Sequence, residues 1–342
     1  MEHRQLGSTG LKVSPLSLGT MTFGSNFINI AQVGQADADR MVARAWQAGI
    51  NFFDTADLYS FGEAEEILGR SLKNNGIDRH EAVIATKVRG PMSRGAAEGS
   101  SDVNNVGLSR KHIMAACDAS LRRLGTDHID LYQVHGWDVR TPVEEVLRAL
   151  DDLVRQGKVL YVGCSNWPAR HLARALALAE AHGLERFASL QAYYALVGRD
   201  LEHELLPLCR EQRLGVLPWS PLAGGFLSGK YRRDTAGPED ARRTGFDFPP
   251  IDRARAFDAI DMLEAIAGET GSSIPRVALA WLLAKPGVSS VIIGARRMEQ
   301  LEDNLAAAEL ELTDEQVRRL DEATQPQPIY PEWMVARQNT NR

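Results

Sequence analysis

The sequence has few of the features that mark specialised classes of protein. Its 342 residues include three cysteines, Cys117, Cys164 and Cys209, and no two of them have the spacing of a CxxC motif. They predict neither a disulfide framework nor a structural zinc site, and they fit a reducing compartment. No apolar run approaches the roughly 18 residues of a membrane span, and residues 1–17 contain no apolar segment of signal length. We therefore expect a cytoplasmic protein without a metal site.

The chain also lacks an excess of positive charge. The chain has 39 Lys and Arg residues against 45 Asp and Glu residues, which gives a net charge of -6. This balance argues against nucleic acid or an anionic membrane as the main partner. Apolar residues make up 44% of the chain and charged residues 25%, as in ordinary soluble proteins. The expected partner is a small molecule, and the sequence leaves open whether the protein is a monomer or a homo-oligomer.

Two common nucleotide-binding motifs are missing. No G-x-G-x-x-G motif follows the first predicted strand, so a Rossmann cofactor site is not predicted. Residues 224–230, GGFLSGK, come close to a P-loop, but Tyr231 stands where that motif requires Ser or Thr. The segment also does not open a helix after a simple strand, and the pattern therefore argues against nucleotide hydrolysis.

Short apolar segments alternate with amphipathic ones along most of the chain. After a hairpin around residues 7–10, strands are predicted at 16–24, 51–54, 82–88, 129–135, 158–166, 188–194, 214–222 and 288–295. Helices are predicted at 36–48, 62–72, 109–124, 142–156, 168–182, 201–212, 252–268, 275–284, 298–308 and 314–323. Strands rich in Val, Ile, Leu and Phe are typical of parallel sheets buried on both faces. Eight such units at roughly 30-residue spacing favour a (β/α)8 TIM barrel with extra C-terminal helices over a doubly wound sheet.

We expect one domain over residues 1–342. A long irregular segment at 223–250 interrupts the alternation and carries Arg232, Arg233, Arg242 and Arg243 among Gly and Pro. Its length predicts a mobile loop over the mouth of the barrel, and a merely solvated insertion is the alternative.

Polar residues follow three consecutive predicted strands. The first of these strands ends at Asp54, with Tyr59 five residues later, and the next two end near Lys87 and at His135. Strand ends share one face of a parallel barrel, so these four side chains are expected to be neighbours. The alternative for 51–59 is an Asp in a turn and a Tyr on the flank of a helix.

These four side chains suit proton transfer to a carbonyl oxygen. A phenol has a pKa of about 10, and an ammonium group such as that of Lys87 stabilises the phenolate and lowers this pKa. Asp54 would anchor Lys87, and His135 would orient the carbonyl. Since no side chain supplies hydride, a nicotinamide cofactor is the natural complement.

The whole set of motifs resembles the aldo-keto reductase family over essentially the entire chain. The matching segments, in order, are LGSTGLKVSPLSLGTMTFG, NFFDTADLY, ATKV, DLYQVHGWD, GCSNW, LQAYY, PWSPLAGGFLSGKY and VIIGARRMEQLEDNL. The resemblance implies a (β/α)8 barrel that holds NAD(P)H across the strand C-termini without a Rossmann motif. It also implies a catalytic tetrad of Asp54, Tyr59, Lys87 and His135, with Tyr59 as the general acid.

The resemblance further implies a set of cofactor-binding residues. These are Gly19, Thr20, Met21, Asp54, Ser165, Asn166, Gln191, Trp219, Ser220, Pro221, Leu222, Gly224, Lys230, Arg242, Gly294, Arg296, Gln300, Asp303 and Asn304. Within this set, Ser165, Asn166 and Gln191 match the residues that hold the nicotinamide carboxamide. Trp219 matches the aromatic residue that stacks on the nicotinamide ring.

The C-terminal motif differs from that of the better-known family members at Gly294, Ala295 and Gln300. It resembles the branch that includes many bacterial reductases and the potassium-channel β subunits. Arg296 carries a forked cation suited to a 2′-phosphate, which favours NADPH/NADP+ over NAD. Asp303 is compatible with either cofactor.

The substrate side of the site is less well defined. Met21, Phe23, Leu58, Trp137 and Trp167 flank strand ends and are expected to form an apolar pocket mouth, although each could instead be plain packing. The predicted function is NADPH-dependent reduction of aldehydes or ketones. The alternatives are an NAD(P)+-dependent alcohol or sugar dehydrogenase and a nucleotide-sensing regulatory subunit on the same fold.

Overall fold

The computed structural model describes residues 1–25, 27, 30, 32–233, 237 and 242–340. Its centre is a sheet of eight parallel strands in the order β10-β3-β4-β5-β6-β7-β8-β9. These strands are β3 (Leu16–Gly19), β4 (Phe52–Asp54), β5 (Val83–Val88), β6 (Ile129–Val134), β7 (Val159–Ser165), β8 (Ser189–Tyr193), β9 (Gly215–Trp219) and β10 (Val291–Ile293). All eight lie where the sequence predicts strands.

The sheet curls round until its two edge strands meet. The Val216 N–H on β9 donates to the Gly287 carbonyl at 3.0 Å, and the Ser289 N–H donates to the Val216 carbonyl at 2.9 Å. These bonds join β9 to the segment that leads into β10. The predicted (β/α)8 TIM barrel is therefore confirmed.

The predicted N-terminal hairpin closes one end of the barrel. Its antiparallel strands are β1 (Arg4–Gln5) and β2 (Lys12–Val13). Leu6 and Val13 are fully buried and pack with Phe52, Leu131 and Leu217 of the barrel strands in one apolar cluster. Burying these side chains stabilises the closed end by about 1.5–3 kcal/mol each.

The helices cover the outside of the barrel. They are α1 (Gln35–Gln47), α2 (Glu63–Asn74), α3 (Arg94–Glu98), α4 (Arg110–Leu124), α5 (Val143–Arg155), α6 (Ala169–His182), α7 (Leu205–Gln212), α8 (Arg242–Gly245), α9 (Arg253–Thr270), α10 (Ile274–Leu283), α11 (Met298–Leu305), α12 (Asp314–Thr324) and α13 (Glu332–Gln338). The Ser109 hydroxyl accepts the His112 N–H at 3.3 Å, so the predicted N-cap of α4 is confirmed. No helix in the described ranges combines the length and the apolar composition needed to cross a membrane.

The long segment 223–250 has more structure than the sequence indicates. It contains the 3-10 helix Ala223–Ser228 and the short helix α8. Arg243 is buried there and donates to the carbonyls of Ala223 at 2.8 Å and Pro249 at 2.9 Å, so it ties the two ends of the segment together. Residues 234–236 and 238–241 lie outside the described part of the chain, and the mobility of this loop stays a prediction.

Candidate active site

The barrel strands place four polar side chains in one internal layer. Side chains alternate along a strand, so Lys87 shares the inner face of β5 with Ala85, which pairs with Asp54 of β4. Lys87 in turn pairs with Gln133 of β6, and Gln191 follows on β8. The open, C-terminal end of the barrel therefore has a polar floor above the apolar cluster.

Lys87 is fully buried and its ammonium group has three hydrogen-bond acceptors. Its Nζ lies 2.5 Å from Asp54 Oδ1, 2.7 Å from the Thr55 carbonyl oxygen and 3.4 Å from the Tyr59 hydroxyl. The expected anchoring of Lys87 by Asp54 is thus present. A buried ammonium group needs this full set of partners, because an unpaired charge in the interior is costly.

A tight turn after β4 brings Tyr59 over this floor. The 3-10 helix Tyr59–Gly62 follows β4, and Ser60 and Phe61 within it have left-handed backbone with φ of 49° and 52°. The Ser60 hydroxyl donates to the Phe23 carbonyl at 3.2 Å and helps to hold the turn. Such backbone costs of order 1–3 kcal/mol per residue and is common at functional sites.

Burial decides the protonation of Tyr59. It raises the pKa of the phenol above the usual value, while the nearby Lys87 ammonium works in the opposite direction. Lys87 lowers this pKa as expected, but desolvation outweighs the charge, so the net pKa lies above the ordinary value of a phenol. Tyr59 holds its proton at neutral pH, which is the form that a proton donor needs.

The ring of His135 faces the same space as Tyr59 and is uncharged. The ring centroids of Tyr59 and His135 are 5.8 Å apart in an edge-on arrangement. Burial, followed by the charges of Lys87 and Arg89, lowers the pKa of His135 to about 3. A neutral imidazole can donate a hydrogen bond to a carbonyl oxygen without giving up its proton.

Tyr59 and His135 open into a cavity of about 1080 Å³. Eighteen of the nineteen predicted cofactor residues line it, namely Gly19, Met21, Asp54, Ser165, Asn166, Gln191, Trp219, Ser220, Pro221, Leu222, Gly224, Lys230, Arg242, Gly294, Arg296, Gln300, Asp303 and Asn304. The exception is Thr20, which is fully buried and does not line the cavity. The structure therefore brings together side chains that are far apart in the sequence.

We call the part of the cavity lined by Ser165, Asn166, Gln191 and Trp219 its inner end. The polar side chains there form hydrogen bonds with one another. Asn166 donates to the Ser165 hydroxyl at 2.9 Å and accepts from the Trp219 indole N–H at 3.1 Å. Gln191, however, directs its amide N–H groups at Asp54 Oδ2, at 2.8 Å, and at Gln133 Oε1, at 3.3 Å. Gln133 lies within the segment DLYQVHGWD, but nothing in its residue type or spacing marked it as part of the site.

Four arginines line the cavity, namely Arg242, Arg276, Arg296 and Arg297, and we call the part that they line its outer end. Burial, followed by repulsion from Arg296 and Arg243, lowers the pKa of Arg242 to about 10. Gln300 accepts the Arg296 backbone N–H at 2.9 Å. Asp303 has a structural partner that the sequence did not reveal, since Arg276 donates to it at 2.7 Å.

The apolar walls differ from the predicted set. Met21 and Leu58 line the cavity as expected. Phe23 and Trp167 are instead core residues, and Trp137 stacks on His171 with ring centroids 3.9 Å apart. The prediction that these three residues form the pocket mouth is therefore wrong, because their rings pack against other side chains of the protein. The cavity is walled instead by Phe27, Phe246 and Phe248, loop residues without a periodic pattern to mark them.

A closed parallel barrel with a cluster of polar side chains and a cavity at the C-terminal ends of its strands is typical of barrel enzymes. Comparison with known proteins identifies the family. The family model described as "Aldo/keto reductase family" matches residues 15–325. The chain belongs to the aldo/keto reductase family, and the resemblance seen in its motifs is confirmed.

Individual relatives match this chain over almost their entire length. An uncharacterized oxidoreductase of Bacillus subtilis is 40% identical over 326 residues, which cover 94% of this chain and 95% of the relative. The versiconal hemiacetal acetate reductase of Aspergillus parasiticus is 35% identical over 345 residues, with 97% and 99% covered. A probable voltage-gated potassium channel subunit beta of Arabidopsis thaliana is 35% identical over 340 residues, also with 97% and 99% covered.

Proposed function

We propose that this protein is an NADPH-dependent reductase that converts an aldehyde or ketone to an alcohol, with Tyr59 as the proton donor. One observation carries the proposal. The Tyr59 hydroxyl lies 3.4 Å from Lys87 Nζ, which is paired with Asp54, and it shares a cavity with the neutral ring of His135. This arrangement supports the transfer of a proton to an oxygen atom held between Tyr59 and His135.

The cavity suits a nicotinamide dinucleotide. Its inner end offers the amide and hydroxyl groups of Ser165, Asn166 and Gln191 to a carboxamide, and the indole of Trp219 to an aromatic ring. At its outer end the buried Nε of Arg242 has no hydrogen-bond partner among the described residues, as expected of a side chain that serves a ligand. When bound, the nicotinamide would supply the hydride.

The protein's own groups would handle the proton. The substrate carbonyl oxygen accepts a hydrogen bond from His135 and takes the Tyr59 proton as its carbon receives hydride. The phenolate left behind is stabilised by Lys87, whose charge is held in place by Asp54. Water then returns a proton to Tyr59. The walls of Met21, Phe27, Leu58 and Phe248 favour a partly hydrophobic substrate.

The arginines at the outer end support NADPH over NADH. Arg242 and Arg296 are close enough for the charge of Arg296 to lower the pKa of Arg242, and both line the cavity. An anion between the two guanidinium groups would relieve this repulsion, and a 2′-phosphate supplies such an anion. The net charge of -6 supports a small molecule rather than nucleic acid as the partner. We also expect a cytoplasmic location from the few, buried cysteines.

A second candidate function is a nucleotide-sensing regulatory subunit. The relatives named as potassium channel subunits beta favour it. The intact set of Asp54, Tyr59, Lys87 and His135 favours turnover instead. Oxidation of an alcohol by the same site is the reverse of the proposed reaction.

The test is to follow NADPH and, separately, NADH at 340 nm with a panel of aldehydes, ketones, quinones and sugars. We expect turnover that is faster with NADPH than with NADH. Tight NADPH binding without turnover of any compound would contradict the reductase and favour the sensing function. Faster turnover with NADH would contradict the cofactor assignment alone.

A further inference from the structure

Gln133 lies beneath the predicted active site and does not take part directly in the proposed reaction. It sits on the inner face of β6, is fully buried and does not line the cavity. Its Nε2 donates to Asp54 Oδ2 at 3.3 Å, and its Oε1 accepts from Gln191 Nε2 at 3.3 Å. A buried amide in a barrel core is costly unless its hydrogen bonds are made, and both of these bonds go to predicted site residues.

The carboxylate of Asp54 fixes which way both amides point. A carboxylate only accepts hydrogen bonds, so each Gln must turn its NH2 group toward Asp54 Oδ2. Gln133 then has its oxygen free for the second N–H of Gln191. With both N–H bonds of Gln191 directed into the barrel, its carbonyl oxygen is the polar atom left for the cavity that Gln191 lines.

We propose that Gln133 is a positioning residue that links the cofactor pocket to the proton-donating group by holding Gln191 and Asp54 in one hydrogen-bonded unit. Through Gln191 it presents an acceptor oxygen to the NH2 group of a nicotinamide carboxamide. Through Asp54 Oδ2 it leaves Oδ1 for Lys87 alone. The inference rests on the proposed function and adds a residue to it that does not touch substrate or cofactor.

The test is a double-mutant cycle on NADPH binding, measured by quenching of tryptophan fluorescence. Gln133→Leu removes both hydrogen bonds and keeps the side-chain size. The loss of one or two net hydrogen bonds should raise the Kd for NADPH about three- to tenfold. In a Gln191→Leu background the same change should alter the Kd less than about twofold, because its target is gone. The KM for the carbonyl substrate should stay unchanged while kcat falls.

Tyr132→Phe is the matched control. Tyr132 is the preceding residue on β6, is also fully buried, and its hydroxyl faces the opposite side, 3.5 Å from the Ile113 carbonyl on α4. This variant loses a buried hydrogen bond of the same strand, so its Tm should fall while the Kd for NADPH stays within about twofold of wild type. Gln133→Met, with a flexible side chain of similar size, serves as the second variant.

The following results would overturn the proposal. A Kd for Gln133→Leu and Gln133→Met within twofold of wild type, or equal effects with and without Gln191, overturns the proposal. Failure of both variants to fold assigns Gln133 a purely structural role and also overturns it. A wild-type protein that binds no NADPH overturns the proposed function itself, and the inference with it.

Discussion

At the scale of single residues, the main feature of the site is the ion pair of Asp54 and Lys87, whose burial costs free energy and whose geometry is well defined. The two groups are 2.5 Å apart, with side chains exposed by only 3% and 0%. Removing one partner of such a pair typically destabilises a protein by about 3–5 kcal/mol, because the other charge stays buried. Thr55, Gln133 and Gln191 provide the further hydrogen bonds that make this burial tolerable.

The proposed preference for NADPH depends on Arg296. Arg296→Ala should weaken NADPH binding about 10- to 100-fold, since it removes a charge-assisted contact to a 2′-phosphate. NADH binding should change less than about twofold. Fluorescence titrations with both cofactors measure the difference, and Arg296→Lys, which keeps the charge, is the control. An equal loss for the two cofactors would contradict the phosphate assignment.

Sequence motifs predicted which side chains would meet but not how each is held. Asp54, Tyr59 and His135 do come together, as expected from the shared face of parallel strands. The raised pKa of Tyr59 was not predicted, because the degree of burial depends on loops that carry Phe27 and other distant side chains. The ion pair of Asp303 with Arg276 was also missed, because it joins the side chains of two different helices, α10 and α11.

At the scale of elements, the buried Arg243 connects the two ends of the segment 223–250. Arg243→Met should remove the bonds to Ala223 and Pro249 and the ion pair with Asp247. We expect faster hydrogen exchange in the described part of this segment and weaker NADPH binding, with little change in the exchange of the barrel strands.

A second arginine of the same segment provides the control. Arg233 is half exposed and pairs with Asp261 on α9 at 3.0 Å. Exposed pairs contribute about 0–1 kcal/mol, so Arg233→Met should leave the exchange of residues 223–250 nearly unchanged. If the two variants behave alike, Arg243 does not hold the segment in the way described.

The barrel strands and the longer helices were predictable, and the short helices were not. The eight strands and helices such as α4 and α9 were found from their periodicity and caps. The helices α3, α8 and α13 have between four and seven residues and were missed, because such short runs show too little of a helical repeat. Two of these helices, α3 and α8, belong to the long connections that follow β5 and β9.

At the scale of the whole molecule, the low pKa of His135 makes stability depend on pH. Its folded pKa of about 3 lies below the ordinary value of 6.5, so the unfolded chain binds a proton more readily. His135 therefore costs nothing above pH 6.5 and destabilises the fold increasingly as the pH falls toward 3. The slope from this group approaches ~1.4 kcal/mol per pH unit.

Urea unfolding at several pH values between 7 and 4 measures this dependence. His135→Gln should lose less stability over this range than wild type, because Gln carries no titrating proton. His203→Gln is the control, since its partly exposed ring pairs with Glu332 near the C-terminus. Parallel stability curves for wild type and His135→Gln would contradict a low pKa of His135 in the folded state.

The most direct test of the central claim is the turnover of Tyr59→Phe with NADPH and the best carbonyl substrate. The change removes one hydroxyl and little volume, so we predict that kcat falls by at least about 100-fold while the Kd for NADPH stays within about twofold. Tyr194→Phe, which loses a buried hydroxyl bonded to Glu202 at 2.6 Å, should keep full activity. Wild-type rates in Tyr59→Phe would show that another group donates the proton and would contradict the mechanism.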